Sequence, residues 1–240
     1  MLLLALAIAP GIAICLFIYS FQQFGRQSLR SLVVAFILGM AATLPALLVQ
    51  KLAVDVREEP WRHSILSYAW YAFVIIACSE EGSKYLVLRW YAYPLRSFTE
   101  PFHGIVYSVL IGMGFATVEN IEYVWQFGVA TGVTRFFLAV PAHAAFAVLM
   151  GYQVGWAKFG RRRPLWGLWK GFLIPVLFHG SFDFFLFLQQ SRAARAMIST
   201  GVLSFGAFAT FYVAVRLAMR ALRIHQRLRE EETENIREMD

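Results

Sequence analysis

Two adjacent carboxylates and an amine, Glu80-Glu81-Gly82-Ser83-Lys84, interrupt an otherwise apolar run, AFVIIACSEEGSKYLVLRW. On a helix Lys84 stands one turn after Glu80 and three residues after Glu81, so its ammonium can meet either acid. One lysine neutralises one carboxylate, and the other is left to act as a base. An internal ion pair that merely holds helices together is the plainer reading, but it does not call for a second acid. Glu119 and Asn120 occur in SVLIGMGFATVENIEYVW, where Phe115 and Glu119 share a helical face. In the same run Gly112 and Gly114 offer small surfaces for close helix approach. His143 lies between alanines in AVPAHAAFAVLM, and His179 and Asp183 stand four apart in FLIPVLFHGSFDFF, where the acid can hold the imidazole and set its tautomer. Glu122 falls nearer a span end, where interfacial solvation accounts for it equally well.

Converging carboxylates and imidazoles can activate water: a desolvated carboxylate removes the proton, and a histidine or amide donates to the oxyanion that forms. That is equipment for hydrolysing a peptide bond inside a membrane. A serine or cysteine nucleophile has no support, because no G-x-S-x-G elbow occurs and Cys78 has no histidine beside it in sequence. Two histidines and several carboxylates could bind zinc, yet H-E-x-x-H is missing and no two histidines share a helical turn. Lys84 beside the carboxylates opposes a cation there. The expectation is therefore metal-free activation of water by glutamate, with no cofactor and with zinc as the alternative.

The elements that must hold these groups are membrane helices. The chain has 240 residues, 59% hydrophobic, 16% aromatic and only 15% charged, with mean hydropathy +0.56. Disorder, collagen, coiled coil and a disulfide scaffold are excluded, and lipid is the implied solvent for most side chains. Cys15 and Cys78 both lie in apolar runs and read as packing residues. The net charge of +7 comes from short basic clusters between apolar runs, which does not fit a nucleic-acid-binding face. Seven stretches approach spanning length, at about 2–19, 31–50, 64–88, 104–125, 134–156, 168–188 and 199–222. The expected fold is an all-α polytopic transmembrane bundle of about seven spans forming one domain over 1–222, with its catalytic core at about 64–188. Residues 223–240 form a charged cytoplasmic tail, and Lys51 to His63 a polar outer loop.

The first stretch lacks the basic n-region of a signal peptide, its positive charges coming after it, and reads as an uncleaved span with its N-terminus outside. That orientation places fifteen Lys and Arg on the cytoplasmic side, from Arg26 and Arg30 through the arginines of the tail, against six outside. His63, His103 and His225 fall near span ends or in the tail, where interfacial or solvent exposure accounts for them.

The order EEGSK (Glu80 to Lys84), FATVEN (Phe115 to Asn120), a central His143 and HGSFD (His179 to Asp183) resembles the PrsW family of intramembrane proteases, which belongs with the CAAX prenyl endopeptidases and related bacterial membrane proteases. The resemblance implies a multi-helix protease of the bacterial cytoplasmic membrane. Glu80 or Glu81 would be the water-activating base and Glu119 would occupy the second motif. His143 with His179 would assist the base or stabilise the oxyanion, Asp183 would orient His179, and Lys84 and Asn120 would support them. The CAAX endopeptidases carry histidine in the second motif, where this chain has Glu119, and asparagine where it has Asp183. The family also implies a single-span regulator, such as an anti-sigma factor, as substrate. A proton-coupled transporter or a non-catalytic scaffold could use the same polar groups, but the transporter reading favours discontinuous helices and related halves, and neither is evident in the sequence.

Overall fold

The computed structural model describes residues 2–21, 27–55, 64–160 and 163–239. All the regular structure among them is helical. Helix α1 is Leu2–Ser20, α2 is Leu29–Ala41 and α3 is Thr43–Asp55. A continuous rod, α4, covers 65–92, followed by α5 (Pro101–Phe137), α6 (Ala139–Phe159), α7 (Pro164–Leu188), the short α8 (Arg192–Met197) and α9 (Thr200–Met239). The chain is thus an integral, all-α membrane bundle, and its long helices fall on the seven apolar stretches read from sequence. Leu3–Ser20, Leu29–Ala53, Pro101–Phe159, Pro164–Leu188 and Thr200–Leu228 are long and apolar enough to cross a bilayer, and Pro101–Phe159 contains two helices packed on each other.

Local sequence explains where helices begin. Ser28 and Ser64 cap α2 and α4 by accepting from the Ser31 and Ser67 amides. Pro101 and Pro164 occupy the first positions of α5 and α7, where a missing N–H costs nothing. The polar loop expected from Lys51 is corrected in part: Lys51 to Asp55 continue α3, because leucine, alanine and valine there sustain the helix. Residues 56–63, with His63, lie outside the described residues, as do Arg26, Arg161 and Arg162. The tail is helical too, since α9 runs without a break from its apolar part into the charged segment.

Helix α5 is the axle. Phe102 through Thr117 are buried without interruption, with α1, α2 and α6 packed around them. This helix is apolar on every face, as a helix must be when it is surrounded by others. Its contact with α6 is made backbone to backbone: a Cβ built on Gly104 would collide with the Gly151 carbonyl, and one on Gly155 with that of Pro101. In lipid, where apolar side chains gain nothing by leaving solvent, close packing of small residues is what associates helices. Substituting Gly151 by valine should force the two helices apart and destabilise the bundle by about 1–3 kcal/mol. A lowered unfolding midpoint in detergent would show it, and an unchanged midpoint would mean the contact contributes little. The bundle's outer surface carries large exposed apolar side chains, including Leu16, Leu48, Leu66 and Phe205, as lipid-facing positions should.

Two of the histidines read as exposed are buried. His103 is 1% exposed and His225 5% exposed. His103 meets Gln27, the Thr99 amide and Glu100, while His225 lies among Phe102, Tyr152 and Trp156. Sequence placed both near helix ends, where only packing against neighbouring helices decides exposure.

Candidate active site

Four helices deliver the polar groups to one place. On α4 the turn Cys78–Val87 carries Glu80, Glu81 and Lys84, all buried, and is flanked by π-helical segments Tyr71–Ala77 and Leu88–Ala92. Such wide turns change the direction in which successive side chains leave a helix and are frequent at functional sites. Helix α5 contributes Glu119 and Asn120, α6 contributes His143, and α7 contributes His179 and Asp183. Pro175, one turn before His179, removes a backbone N–H from α7. The close helix approach expected at Gly112 and Gly114 is present. Cβ atoms there would press on Ala147 of α6 and on the Phe36 carbonyl of α2.

The two glutamates are not equivalent. Lys84 Nζ donates to Glu81 Oε1 at 2.7 Å but lies 3.5 Å from Glu80 Oε2. His179 Nδ1 also lies 2.8 Å from Glu81 Oε1, so that single oxygen serves an ammonium and an imidazole. Glu80 Oε1 accepts from Gln50 of α3 at 3.2 Å, and its Oε2, although buried, has no hydrogen-bond partner among the described residues. The second nitrogen of His179, Nε2, is 3.3 Å from Asp183 Oδ2 and 3.9 Å from Glu80 Oε2. Facing carboxylates at both nitrogens, the ring is arranged to donate from each.

His143 is held from two sides. Lys84 Nζ approaches Nδ1 at 3.1 Å, and Glu119 Oε2 lies 2.9 Å from Nε2. An ammonium can only donate, so Nδ1 accepts and the proton sits on Nε2, facing Glu119. Phe115 lies beneath this arrangement, its ring 4.1 Å from Lys84 Nζ. Asn120 takes a supporting place: its amide reaches the Ala7 carbonyl at 3.4 Å and its oxygen accepts from Arg135 Nε at 2.6 Å. Glu122 faces Gln126 at 3.2 Å on an exposed part of α5, in keeping with solvation rather than chemistry. Cys15 is buried and Cys78 half-buried, and both are free thiols.

All six residues singled out from sequence therefore meet. Sequence reasoning missed two polar partners. Gln50 stands near the end of an apolar run, where an amide attracts no notice, and Arg135 counted only as an outer-side positive charge.

Glu80, Glu119, His143, His179 and Asp183 line a cavity of about 1050 Å3. It is also lined by Gln50, Ser67, Gln126, Arg135, Gln189 and Gln190, several of them where α3 nears its end, α4 begins and α7 stops. The cluster thus opens toward one end of the bundle.

The donor set fits a divalent cation. Ligand atoms of Glu80, Glu81, His143 and His179 lie within 4.8 Å of one another, and Oε2 of both glutamates is buried without a hydrogen bond. With His143 neutral and His179 donating from both nitrogens, the acids Glu80, Glu81, Glu119 and Asp183 outnumber the cations Lys84, Arg135 and His179 by one charge. Burying an uncompensated charge is costly, so a bound cation or proton would relieve the excess.

A bundle of membrane helices closing around buried carboxylates and imidazoles, with a cavity leading to them, defines a membrane-embedded hydrolase-type site. Residues 27–219 match the model of the PrsW family intramembrane metalloprotease, and the chain belongs to that family. It is 33% identical over 188 residues to Protease PrsW of Geobacillus kaustophilus (strain HTA426), covering 78% of this chain and 81% of that one. The corresponding protein of Bacillus subtilis (strain 168) is 33% identical over 186 residues, 77% and 82% of the two chains. That of Clostridioides difficile (strain 630) is 33% identical over 204 residues, 82% and 84%. No solved structure gives a significant match. The chain is accordingly a membrane protease.

Proposed function

We propose that the chain hydrolyses a peptide bond of a single-span membrane protein by water that Glu80 activates. The observation that carries this reading is the division of labour between the two glutamates. Glu81 is committed to Lys84 and His179, whereas Glu80 keeps one oxygen, Oε2, free of hydrogen bonds beside the cavity. Glu80 takes a proton from water as the water oxygen bonds to the scissile carbonyl carbon. His179, anchored through Nδ1 on Glu81, turns its Nε2–H, the looser of its two contacts at 3.3 Å from Asp183, to the developing oxyanion beside Glu80. Collapse breaks the C–N bond, and the proton on Glu80 passes to the leaving amine. Gln50 keeps the base aimed through its bond to Oε1.

With the N-terminus outside and the C-terminus in the cytoplasm, the cavity opens on the outer side of the bacterial cytoplasmic membrane. That placement supports a cut near the outer end of the substrate's span, as in the first cleavage of an anti-sigma-factor-like regulator. Cleavage of single-span substrates in liposomes by the wild type, lost in Glu80→Gln and His179→Ala, tests the reading. Undiminished cleavage in both variants would end it.

A second reading is favoured by the excess of buried negative charge and by the family's description as metalloproteases. Glu80, Glu81 and His179 would hold a divalent cation, which when bound supplies Lewis acidity toward water and the carbonyl oxygen. Lys84, engaging Glu81 and His143, supports the metal-free form. Chelation decides: activity lost with 1,10-phenanthroline and restored by zinc establishes the metal reading, and unchanged activity the metal-free one.

A further inference from the structure

Arg135 reaches the site by a route that its sequence position conceals. On a continuous helix it would stand sixteen residues beyond Glu119, roughly 24 Å away at the usual rise. Instead α5 breaks at Gly128, whose φ of 79° and ψ of −165° belong to glycine alone, and the following turns fold back along the helix. Gly132 then packs against Val124 and Leu6. The guanidinium arrives with Nη2 2.9 Å from Glu119 Oε2, Nε 2.6 Å from Asn120 Oδ1, and its centre 4.0 Å from the Tyr123 ring. Three neighbouring side chains on one side of α5 thus receive one planar cation, a geometry that suits arginine and not lysine.

Glu119 Oε2 is the same oxygen that faces His143 Nε2 at 2.9 Å. We infer that Arg135 is a positioning residue for hydrolysis: it fixes the Glu119 carboxylate, which fixes the His143 ring with its proton on Nε2 and its Nδ1 toward Lys84. The chain Arg135, Glu119, His143, Lys84, Glu81, His179 then runs without a gap from the cavity mouth to the ring beside Glu80. Without Arg135, Glu119 keeps, among the described residues, the histidine as its partner, and the ring is free to turn. This inference rests on the hydrolytic reading, while its geometric part stands apart from it.

The test uses the full-length protein in liposomes with a single-span substrate, comparing wild type, Arg135→Ala, Arg135→Lys and Gly128→Ala. Arg135→Ala should lower kcat by about 10- to 100-fold with KM little changed, the size usual for residues that orient a reacting group through another. Arg135→Lys should recover part of that loss, since it restores the charge but not the fork. Gly128→Ala should also lower kcat, because the added Cβ meets open space and only the backbone angle, and with it Arg135, is disturbed. Separately, 15N spectra of histidine-labelled protein, with His143 assigned by its substitution, should show one tautomer in the wild type and a tautomer mixture in Arg135→Ala. Wild-type kcat in folded Arg135→Ala, or a His143 spectrum unchanged by the substitution, overturns the inference. Failure of the wild type itself to cleave would instead count against the hydrolytic reading, with the spectra still reporting on Arg135.

Discussion

Replacing Glu80 with glutamine is expected to reduce kcat by about 100- to 10,000-fold, the usual contribution of a positioned acid–base group. The bundle should stay folded. Glutamine has the shape of glutamate, can keep its partner Gln50, and removes a buried charge whose Oε2 makes no hydrogen bond. Glu81→Gln should behave differently although it alters the neighbouring residue. It weakens the acceptor for Lys84 at 2.7 Å and for His179 at 2.8 Å, so stability should fall together with activity. Measuring kcat and the unfolding midpoint in detergent for both variants separates base from brace. Equal loss of stability in the two would contradict the assignment of Glu80 as the free carboxylate.

Lys84→Met should produce the largest loss of stability of any single change in the site. Among the described residues Lys84 is the one lysine or arginine placed against Glu80 and Glu81, and it also donates to His143 and lies over the Phe115 ring. Methionine preserves length and apolar contact but leaves the carboxylates without their ammonium. Removing one partner of a buried ion pair typically costs about 3–5 kcal/mol, because the remaining charge stays desolvated. The double variant Lys84→Met with Glu81→Gln should recover part of that cost, since the stranded charge goes with the second change. An unfolding midpoint in Lys84→Met equal to wild type would show that protons or an ion, and not Lys84, balance these acids.

The contrast between Glu80 and Glu81 also shows what could be read from sequence. Spacing alone lets Lys84 reach either acid. The choice falls on Glu81 because α7 brings His179 to the same oxygen, and because Gln50 of α3 meets Glu80 instead. Similarly, Asp183 was legible as the partner of His179 from their i, i+4 spacing, and it stands 3.3 Å away as expected. The closer contact of His179, with Glu81 on another helix, was not legible. His103 and His225 went the other way: span-end positions suggested exposure, and neighbouring helices enclose them.

The sequence by itself determined that this is a membrane bundle and which polar residues its spans bury together. Lipid penalises every charge in a span, so Glu80, Glu81, Lys84, Glu119 and Asp183 stand out against the apolar runs, and His143 and His179 with them. Only the tertiary structure decided the roles. Gln50 and Arg135 lie where a polar side chain costs little and so leaves no signal. Arg135 enters the site because one glycine reverses the chain, and Glu80 keeps a free oxygen because Lys84 of the same helix and His179 of α7 occupy Glu81 instead. Local composition records the cost of burying a group; its partner depends on how distant helices pack.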